Sequence, residues 1–245
     1  MQEKTRGIVL RVLRYSDQAI IVDIYTELRG CLSFWVKSTA SRKASVKNMF
    51  FTPLSMLELN YDFKPAASLQ RIRDVRFAYV YSTLPFEPMK AAVGLFLSDF
   101  LYRVLKQETA NRPLFAYLDY SLQWFDRSES SYANFHLVFI TRLTRFLGFY
   151  PNVEAYHKGD YFDMLNACFV SSRPMHAAYL GPEEAATIPM FMRMNYDSMR
   201  FFVMNRISRA RYIEVINDYY RLHIPDFPEL KSLDVLKELF EYFFC

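Results

Sequence analysis

The sequence predicts an α+β protein in which a small β barrel precedes a helical body. Over roughly the first 80 residues, apolar and polar residues alternate with the period of strands that bury one face. After Pro85, apolar residues recur every three or four positions, which is the period of amphipathic helices. The chain of 245 residues is 52% hydrophobic and 23% charged, a composition that excludes a disordered protein.

Five strands are predicted in the barrel. The apolar residues of the first three strands share one parity: Ile8, Leu10 and Val12; Ile20, Val22 and Ile24; Leu32, Phe34 and Val36. Gly30 can adopt a positive φ and predicts a turn before the third strand. Two more strand-like runs follow at 54–61 and 69–81. Five short strands favour an OB-fold-like barrel, and an SH3-like barrel is the structural alternative.

Helical periodicity covers most of the remaining chain. Helices are predicted at about 89–105, 111–127, 135–147, 183–193, 196–206, 209–222 and 231–243. Residues 152–181 lose this period, so we expect an irregular insert there, with one or two short strands near 161–171. The predicted domains are therefore a barrel at 1–81 and an all-helical body at 82–245.

Positive charge is concentrated in the predicted barrel. Residues 1–81 hold 13 Lys and Arg against 7 Asp and Glu, a net charge of +6, whereas residues 82–245 hold 17 against 19, a net of −2. These two values sum to the +4 of the whole chain. The loop at 38–48 carries three cations and no acid. A basic module of this kind is expected to bind a polyanion, although solvated surface cations are the alternative.

The barrel face opposite the predicted core combines cations with aromatic rings. The candidate nucleic-acid contacts are Arg11, Arg14, Tyr25, Trp35 and Lys37 on the strands, and Arg42, Lys43 and Lys47 in the adjoining loop. Cations along a groove neutralise phosphates, and flat side chains stack with bases, so this combination is typical of a surface for single strands. In the alternative arrangement the helical body covers Tyr25 and Trp35 and leaves only the charges at the rim exposed.

Catalytic and metal-binding motifs are not found in the sequence. There is no GxxxxGK[ST], GxGxxG, GxSxG or HExxH pattern, so we do not expect an enzyme. His157, Cys168 and His176 offer three ligands within the insert, but a structural zinc site requires four, so we expect no metal. The three cysteines are far apart, and no apolar run is long enough for a signal peptide or a transmembrane helix. We therefore expect a soluble intracellular protein.

Three segments resemble the RecO family of bacterial DNA-repair proteins. The run RGIVLRVLRYSDQAIIVDIYTELRGCLSFWVKS at 6–38 resembles the N-terminal barrel of that family. LGFYP at 147–151 is similar to the segment that precedes the family's zinc-finger region, and YYRLHIPDFPELKSLDVLKEL at 219–239 is similar to its C-terminal signature. Many members carry four cysteines after the second segment, whereas here Cys168 stands alone. The resemblance thus implies a metal-free branch with a degenerate zinc-finger-like insert at about 152–181.

The resemblance implies a recombination mediator that catalyses no hydrolysis. Such proteins bind single- and double-stranded DNA, anneal complementary strands and act with RecR. They engage the acidic C-terminal tail of the single-strand-binding protein SSB and help to load RecA. A cytoplasmic, nucleoid-associated location is expected.

The third predicted helix is a candidate docking site for the SSB tail. It places Arg142 and Arg145 beside the apolar residues Leu143, Phe146 and Leu147, and a cation next to an apolar groove suits a carboxylate that follows a phenylalanine. In the alternative interpretation these apolar residues belong to the core and the two arginines are solvated.

Two other classes of function remain open. The first is a helical protein-interaction adaptor whose barrel binds peptide rather than DNA, and the second is an unrecognised enzyme. The loop at 38–48 favours phosphate as the ligand, because a barrel that binds peptide does not need three cations without an acid.

Overall fold

A computed structural model describes the backbone of residues 1–37 and 49–243, and the side chains as far as residue 238. The chain forms two compact units. The first contains Met1–Arg127 together with Glu229–Leu239, and the second is built on Ser128–Pro228.

The first unit contains a closed five-stranded barrel. Its strands are β1 (Gln2–Ser16), β2 (Ala19–Thr26), β3 (Gly30–Lys37), β4 (Met56–Asp62) and β5 (Leu69–Tyr79). The strand order is β1-β2-β3-β5-β4, and β4 pairs back to β1 to close the barrel. Strands β3 and β5 are parallel, whereas the other neighbouring strands are antiparallel. The predicted OB-fold-like barrel is confirmed.

The prediction of which β1 side chains face the barrel core is wrong for the first half of the strand, where it named Ile8 and Leu10. The barrel core contains Val9, together with residues of the predicted parity on β2 and β3. A bulge explains the change, because Val9 pairs with Ile24 and Arg11 pairs with Asp23, so that Leu10 is an extra residue. Leu10 is buried on the outside of the barrel, where its carbonyl accepts a hydrogen bond of 2.6 Å from the Ser98 hydroxyl.

Helices complete the first unit. They are α1 (Pro88–Leu105), α2 (Arg112–Arg127) and a C-terminal helix, α7 (Lys231–Phe243). Helix α1 packs on β1, and the hydroxyl of Ser232 at the start of α7 donates a 2.8 Å hydrogen bond to Asp99 of α1. The compact unit therefore extends beyond residue 81, where the predicted barrel domain ends.

The second unit is mainly helical. It contains α3 (Phe135–Leu147), α4 (Pro182–Ala185), α5 (Ile188–Arg193) and α6 (Arg206–His223), and α3 ends at Gly148 with a φ of 86°. The helix predicted at 196–206 is wrong, since the structure has only a 3-10 turn at Met199–Phe201. Asn195 and Ser198 exchange side-chain to backbone N–H hydrogen bonds, which is the arrangement of a helix start, but the backbone leaves the helical region at Phe202, with a φ of −96° and a ψ of 85°, so only one turn forms.

The insert forms a small sheet with the order β7-β6-β8. Strands β6 (Tyr161–Asp163) and β7 (Cys168–Val170) lie where short strands are predicted, and β8 (Tyr179–Leu180) was not anticipated. Asp163 organises the turn between β6 and β7, since it accepts hydrogen bonds from the backbone N–H groups of Leu165 and Asn166. The same carboxylate lies 3.3 Å from His176 Nε2. Among the described residues, no group of three or more His, Cys, Asp or Glu side chains could hold a metal ion, and a zinc-finger-like arrangement is not observed.

Candidate nucleic-acid interface

One row of side chains crosses four barrel strands on the face opposite the core. Leu13 pairs with Ile21, Ile21 with Trp35, and Trp35 with Arg71, so these residues lie side by side on β1, β2, β3 and β5. Trp35 is half-buried and Arg71 is exposed. The Arg71 guanidinium lies 5.8 Å from the centre of the indole ring, a cation–π distance.

Most cations of the described barrel are paired with a carboxylate. The pairs are Lys4–Glu58, Arg6–Glu27, Arg11–Asp23, Arg14–Asp17, Arg29–Glu3, Arg73–Asp62 and Arg76–Glu58. Within residues 1–37 and 49–81, Lys37, Lys64 and Arg71 are exposed and have no carboxylate within ion-pair distance. Positive charge that can be offered to a ligand therefore lies at these three positions.

Two of these three cations lie beside Trp35. Lys37 is two residues further along β3 and points to the same side of the sheet, and Arg71 is the register partner of Trp35. The surface formed by Trp35, Lys37 and Arg71 is named the Trp35 face below. Cations that lack a carboxylate can neutralise phosphates, and a half-exposed indole can stack with a base.

Tyr25 is not part of this surface, which corrects the prediction that it is exposed. Its side chain is fully buried in the first unit, and its ring stacks on Phe115 of α2 with 6.3 Å between centroids. The hydroxyl donates a 3.3 Å hydrogen bond to the Thr109 carbonyl, and burial raises the pKa of Tyr25. The alternative in which helices cover the aromatic residues is therefore correct for Tyr25, whereas Trp35 stays half-exposed.

Arg11 and Arg14 occupy different environments. Arg11 is half-buried, lies 3.4 Å from Asp23, and places its guanidinium 4.4 Å from the centre of the Tyr102 ring. These contacts hold Arg11 against α1 and neutralise its charge. Arg14 is exposed and pairs with Asp17 at 2.6 Å across the turn between β1 and β2. Arg14 is therefore one of the paired cations, although an exposed pair of this kind contributes little to stability.

The predicted loop contacts Arg42, Lys43 and Lys47 lie outside the described residues. In sequence they follow Lys37, which belongs to the Trp35 face. Sequence reasoning missed Arg71, although it lies in a strand that was predicted. The parallel pairing of β3 with β5 brings Arg71 to Trp35, and alternation within one strand carries no information about that pairing.

The two arginines proposed as contacts of the SSB tail differ in exposure and in the contacts that their guanidinium groups make. Arg142 donates from Nε and Nη2 to the Met194 carbonyl at 2.9 and 2.8 Å, so it stabilises the end of α5. Arg145 is exposed, and its guanidinium lies 6.0 Å from the centre of the Tyr150 ring. Leu143, which lies between them in the sequence, is fully buried. Arg145 thus remains a candidate contact, and Arg142 has a structural role.

The two histidines considered as metal ligands each contact a carboxylate. His157 Nδ1 lies 3.6 Å from Asp160, and His176 contacts Asp163 as described above. Burial raises the pKa of the Cys168 thiol, which disfavours the thiolate that binds metals.

None of the described helices is long and apolar enough to cross a membrane.

Comparisons with known proteins agree with the resemblance noted in the sequence. The family models "Recombination protein O N terminal" and "Recombination protein O C terminal" match residues 1–81 and 86–234. The protein named DNA repair protein RecO in Phocaeicola vulgatus is 55% identical, over 98% of this chain and 100% of its own length. The proteins of that name in Bacteroides fragilis and Flavobacterium johnsoniae are 54% and 32% identical with the same coverage. This chain belongs to the RecO family of DNA repair proteins.

Proposed function

We propose that the protein is a non-enzymatic mediator of DNA repair and recombination that binds single- and double-stranded DNA through the Trp35 face. The observation that carries this proposal is the position of Lys37 and Arg71, two cations without a carboxylate partner among the described residues, on either side of a half-exposed indole. Contacts to phosphates carry little sequence information, so binding is expected to show little sequence preference.

The same geometry is compatible with strand annealing. Cations that hold the phosphate backbone, and a ring that stacks on the face of a base, leave the Watson–Crick edges of a bound strand free. A complementary strand can then pair with it, without any bond being broken in the DNA. Family membership supports RecR, the SSB tail and, indirectly, RecA as partners, and a cytoplasmic location on the nucleoid.

A pair of matched double variants tests the DNA surface. Lys37→Ala with Arg71→Ala removes two cations from the Trp35 face, whereas Arg73→Ala with Arg76→Ala removes two cations that are paired with Asp62 and Glu58. Both variants lose the same formal charge. With labelled oligo(dT) and a duplex of the same length, we expect the first variant to bind about tenfold or more weakly and the control to change less than about threefold.

Two further variants test base stacking on Trp35 and the phosphate contacts of the loop cations separately. Trp35→Ala should weaken single-strand binding by about 1–3 kcal/mol and affect duplex binding less, because bases in a duplex are already stacked. Replacing Arg42, Lys43 and Lys47 with alanine should lower the salt dependence by about two to three units of the log–log slope, if all three contact phosphates.

Equal losses in the two double variants would contradict the Trp35 face as the binding surface. An affinity that does not depend on salt would contradict DNA binding by phosphate contacts altogether. If the barrel bound an acidic or apolar peptide in the buffers used for the DNA measurements, this result would favour the adaptor function.

A further inference from the structure

The hairpin between β1 and β2 carries a second exposed aromatic ring on the side of the barrel that bears Trp35. Tyr15 is 67% exposed, and its ring and hydroxyl have no partner among the residues that the structure describes. It lies two residues beyond Leu13 on β1, and Leu13 belongs to the row of side chains that contains Trp35. Because every second side chain of a strand points to the same face, Tyr15 lies on the outer face with Leu13.

A bulge sets the position of Tyr15 near the end of β1. Arg14 pairs with Ile20 and Ser16 pairs with Ala19, so Tyr15 is an extra residue without a register partner on β2. Bulges bend a strand and redirect the side chain of the extra residue. The pairing on both sides of Tyr15 therefore fixes the point from which its ring projects into solvent.

The surface between the two rings is apolar. Leu13 is 38% exposed, and its register partner Ile21, which is also the register partner of Trp35, is half-buried. The faces of nucleobases are flat and poorly solvated, so they pack well on aliphatic side chains that adjoin an aromatic ring. This part of the barrel can therefore accept a base on each ring and apolar contact between them.

Positive charge beside these residues is concentrated at Trp35. Lys37 and Arg71 have no carboxylate within ion-pair distance among the described residues. Arg14, the neighbour of Tyr15, is paired with a carboxylate at 2.6 Å. A strand that crosses this surface would have its phosphates held near Trp35, and Tyr15 would contact a base without adding a charge.

The two rings are too far apart for neighbouring stacked bases. Trp35 lies two strands away from β1, and Tyr15 is two residues beyond the row that contains Trp35. With strands about 4.8 Å apart and a rise of about 3.4 Å per residue, the two Cα atoms are separated by about 12 Å. Successive bases of one strand in a duplex are about 3.4 Å apart and cover each other's faces, so a duplex cannot occupy both rings. A single strand can do so when its bases are unstacked.

We propose that Tyr15 and Trp35 form a two-point stacking site for an unstacked single strand of DNA, with Leu13 and Ile21 as the apolar floor between the two bases. This inference rests on the proposed function, in which the cations beside Trp35 hold phosphates of the same strand. Tyr15 gives the surface a preference for single strands over duplex. Bases that are held apart also present their Watson–Crick edges to an incoming complementary strand.

Three variants of the full chain test the second ring with labelled oligo(dT) and a duplex of the same length. Tyr15→Ala should bind oligo(dT) about tenfold more weakly, which corresponds to about 1.4 kcal/mol and lies in the usual range for stacking of one base. Tyr15→Phe keeps the ring, and Tyr120→Ala removes a ring that is 58% exposed on α2, so both should stay within about twofold of wild type. Duplex affinity should be unchanged in all three. Wild-type affinity for oligo(dT) in Tyr15→Ala, or an equal loss in Tyr15→Phe, would overturn the proposal.

A strand without bases separates stacking from an indirect effect on phosphate contacts. An abasic oligonucleotide of the same length keeps the charges of oligo(dT) and lacks its bases, so wild type and Tyr15→Ala should bind it equally. The log–log salt slope for oligo(dT) should also be the same for both proteins, because Tyr15 neutralises no phosphate. Weaker binding of the abasic strand by Tyr15→Ala, or a lower slope, would show that Tyr15 acts through phosphate contacts or the fold, and would overturn the proposal.

The double variant Tyr15→Ala with Trp35→Ala tests whether the two rings hold different bases. Losses at sites about 12 Å apart are expected to be additive in free energy, so two losses of about tenfold should combine to about a hundredfold. If the double variant binds no more weakly than Trp35→Ala alone, Tyr15 only positions Trp35 and the two-point site is refuted. Circular dichroism and melting profiles should be those of wild type, since both rings are at least partly exposed.

Failure of this inference and failure of the proposed function give different results. If Lys37→Ala with Arg71→Ala lowers the salt slope and Tyr15→Ala retains wild-type affinity, the DNA surface stands and the second stacking point is refuted. If Tyr15→Ala loses affinity for oligo(dT) and Lys37→Ala with Arg71→Ala does not, the phosphate contacts proposed for those cations are refuted and the stacking site stands. If wild type binds no DNA, both are refuted.

Discussion

Replacement of Asp126 with asparagine is expected to destabilise the first unit by removing a buried charge that several donors share. The carboxylate of Asp126, at the end of α2, accepts hydrogen bonds from the backbone N–H groups of Ser82, Thr83 and Leu84 at 2.8–3.1 Å. It also accepts a 2.9 Å hydrogen bond from the Tyr79 hydroxyl. These contacts join the segment that leaves the barrel to α2. Asparagine has one acceptor oxygen instead of two, so at least one buried donor would lose its partner.

The size of the effect can be worked out from the pKa of Asp126. Burial alone raises this pKa, but the hydrogen bonds from Ser82, Leu84, Thr83 and Tyr79 outweigh burial and lower it from 3.8 to about 2. This difference corresponds to about 2 kcal/mol of stability, since each pKa unit is worth about 1.4 kcal/mol. An orphaned buried donor costs about 1–3 kcal/mol. We therefore expect Asp126→Asn to lower the free energy of unfolding by about 2–4 kcal/mol at pH 7.

The dependence on pH follows from the direction of this shift. Because the folded state lowers the pKa, the stabilisation is complete above pH 4 and is lost as the pH falls toward 2. The difference between wild type and Asp126→Asn should therefore shrink over that interval.

Urea unfolding followed by tryptophan fluorescence is the appropriate assay. The two tryptophans, Trp35 and Trp124, both lie in the first unit, so the signal reports on that unit. Asp74→Asn, at an exposed position of β5, serves as the control and should change stability by less than about 0.5 kcal/mol. The reasoning fails if Asp126→Asn lies within that same margin at pH 7, or if its deficit at pH 2.5 equals its deficit at pH 7.

Three further predictions concern the fold and the insert. Gly30→Ala should destabilise the first unit by more than about 1 kcal/mol in urea unfolding, because Gly30 has a φ of 75° and an added Cβ would overlap the Glu108 carbonyl oxygen. Arg142→Ala should lower the melting temperature through loss of the two hydrogen bonds to the Met194 carbonyl; a melting temperature equal to that of the wild type would contradict this. Elemental analysis should find far less than one zinc per chain, because the insert offers only His157, Cys168 and His176 and a structural zinc site requires four ligands; stoichiometric zinc that resists mild chelation would refute this.

Local periodicity predicted the strands and the long helices well. The alternation in β2 and β3 and the spacing in α1 and α3 depend on burial of one face, and the structure buries those faces. The bulge at Leu10 was not predictable from alternation, because Ile8, Val9 and Leu10 are all apolar and either parity could face the core. The helix expected at 196–206 ends after one turn because the backbone leaves the helical region at Phe202, and the spacing of apolar residues does not signal that change.

The candidate site was predicted in part. Trp35 and Lys37 could be found from one strand, since the residues that alternate with a buried parity face outward. Tyr25 has the same parity, but Phe115 of a distant helix covers it, and no local pattern signals that contact. Arg71 is brought to Trp35 by a parallel pairing between strands that are far apart in sequence. Contacts of long sequence separation thus decided which predicted residues remain exposed.

The salt dependence of DNA binding tests the central claim most directly. Affinity for oligo(dT) is measured at several salt concentrations for wild type, for Lys37→Ala with Arg71→Ala, and for Arg73→Ala with Arg76→Ala. If Lys37 and Arg71 each neutralise one phosphate of the single strand, the first double variant should lower the log–log slope by about 1.4 units, and the second should leave it unchanged. An unchanged slope in the first variant, or the same decrease in both, would contradict DNA binding through the Trp35 face.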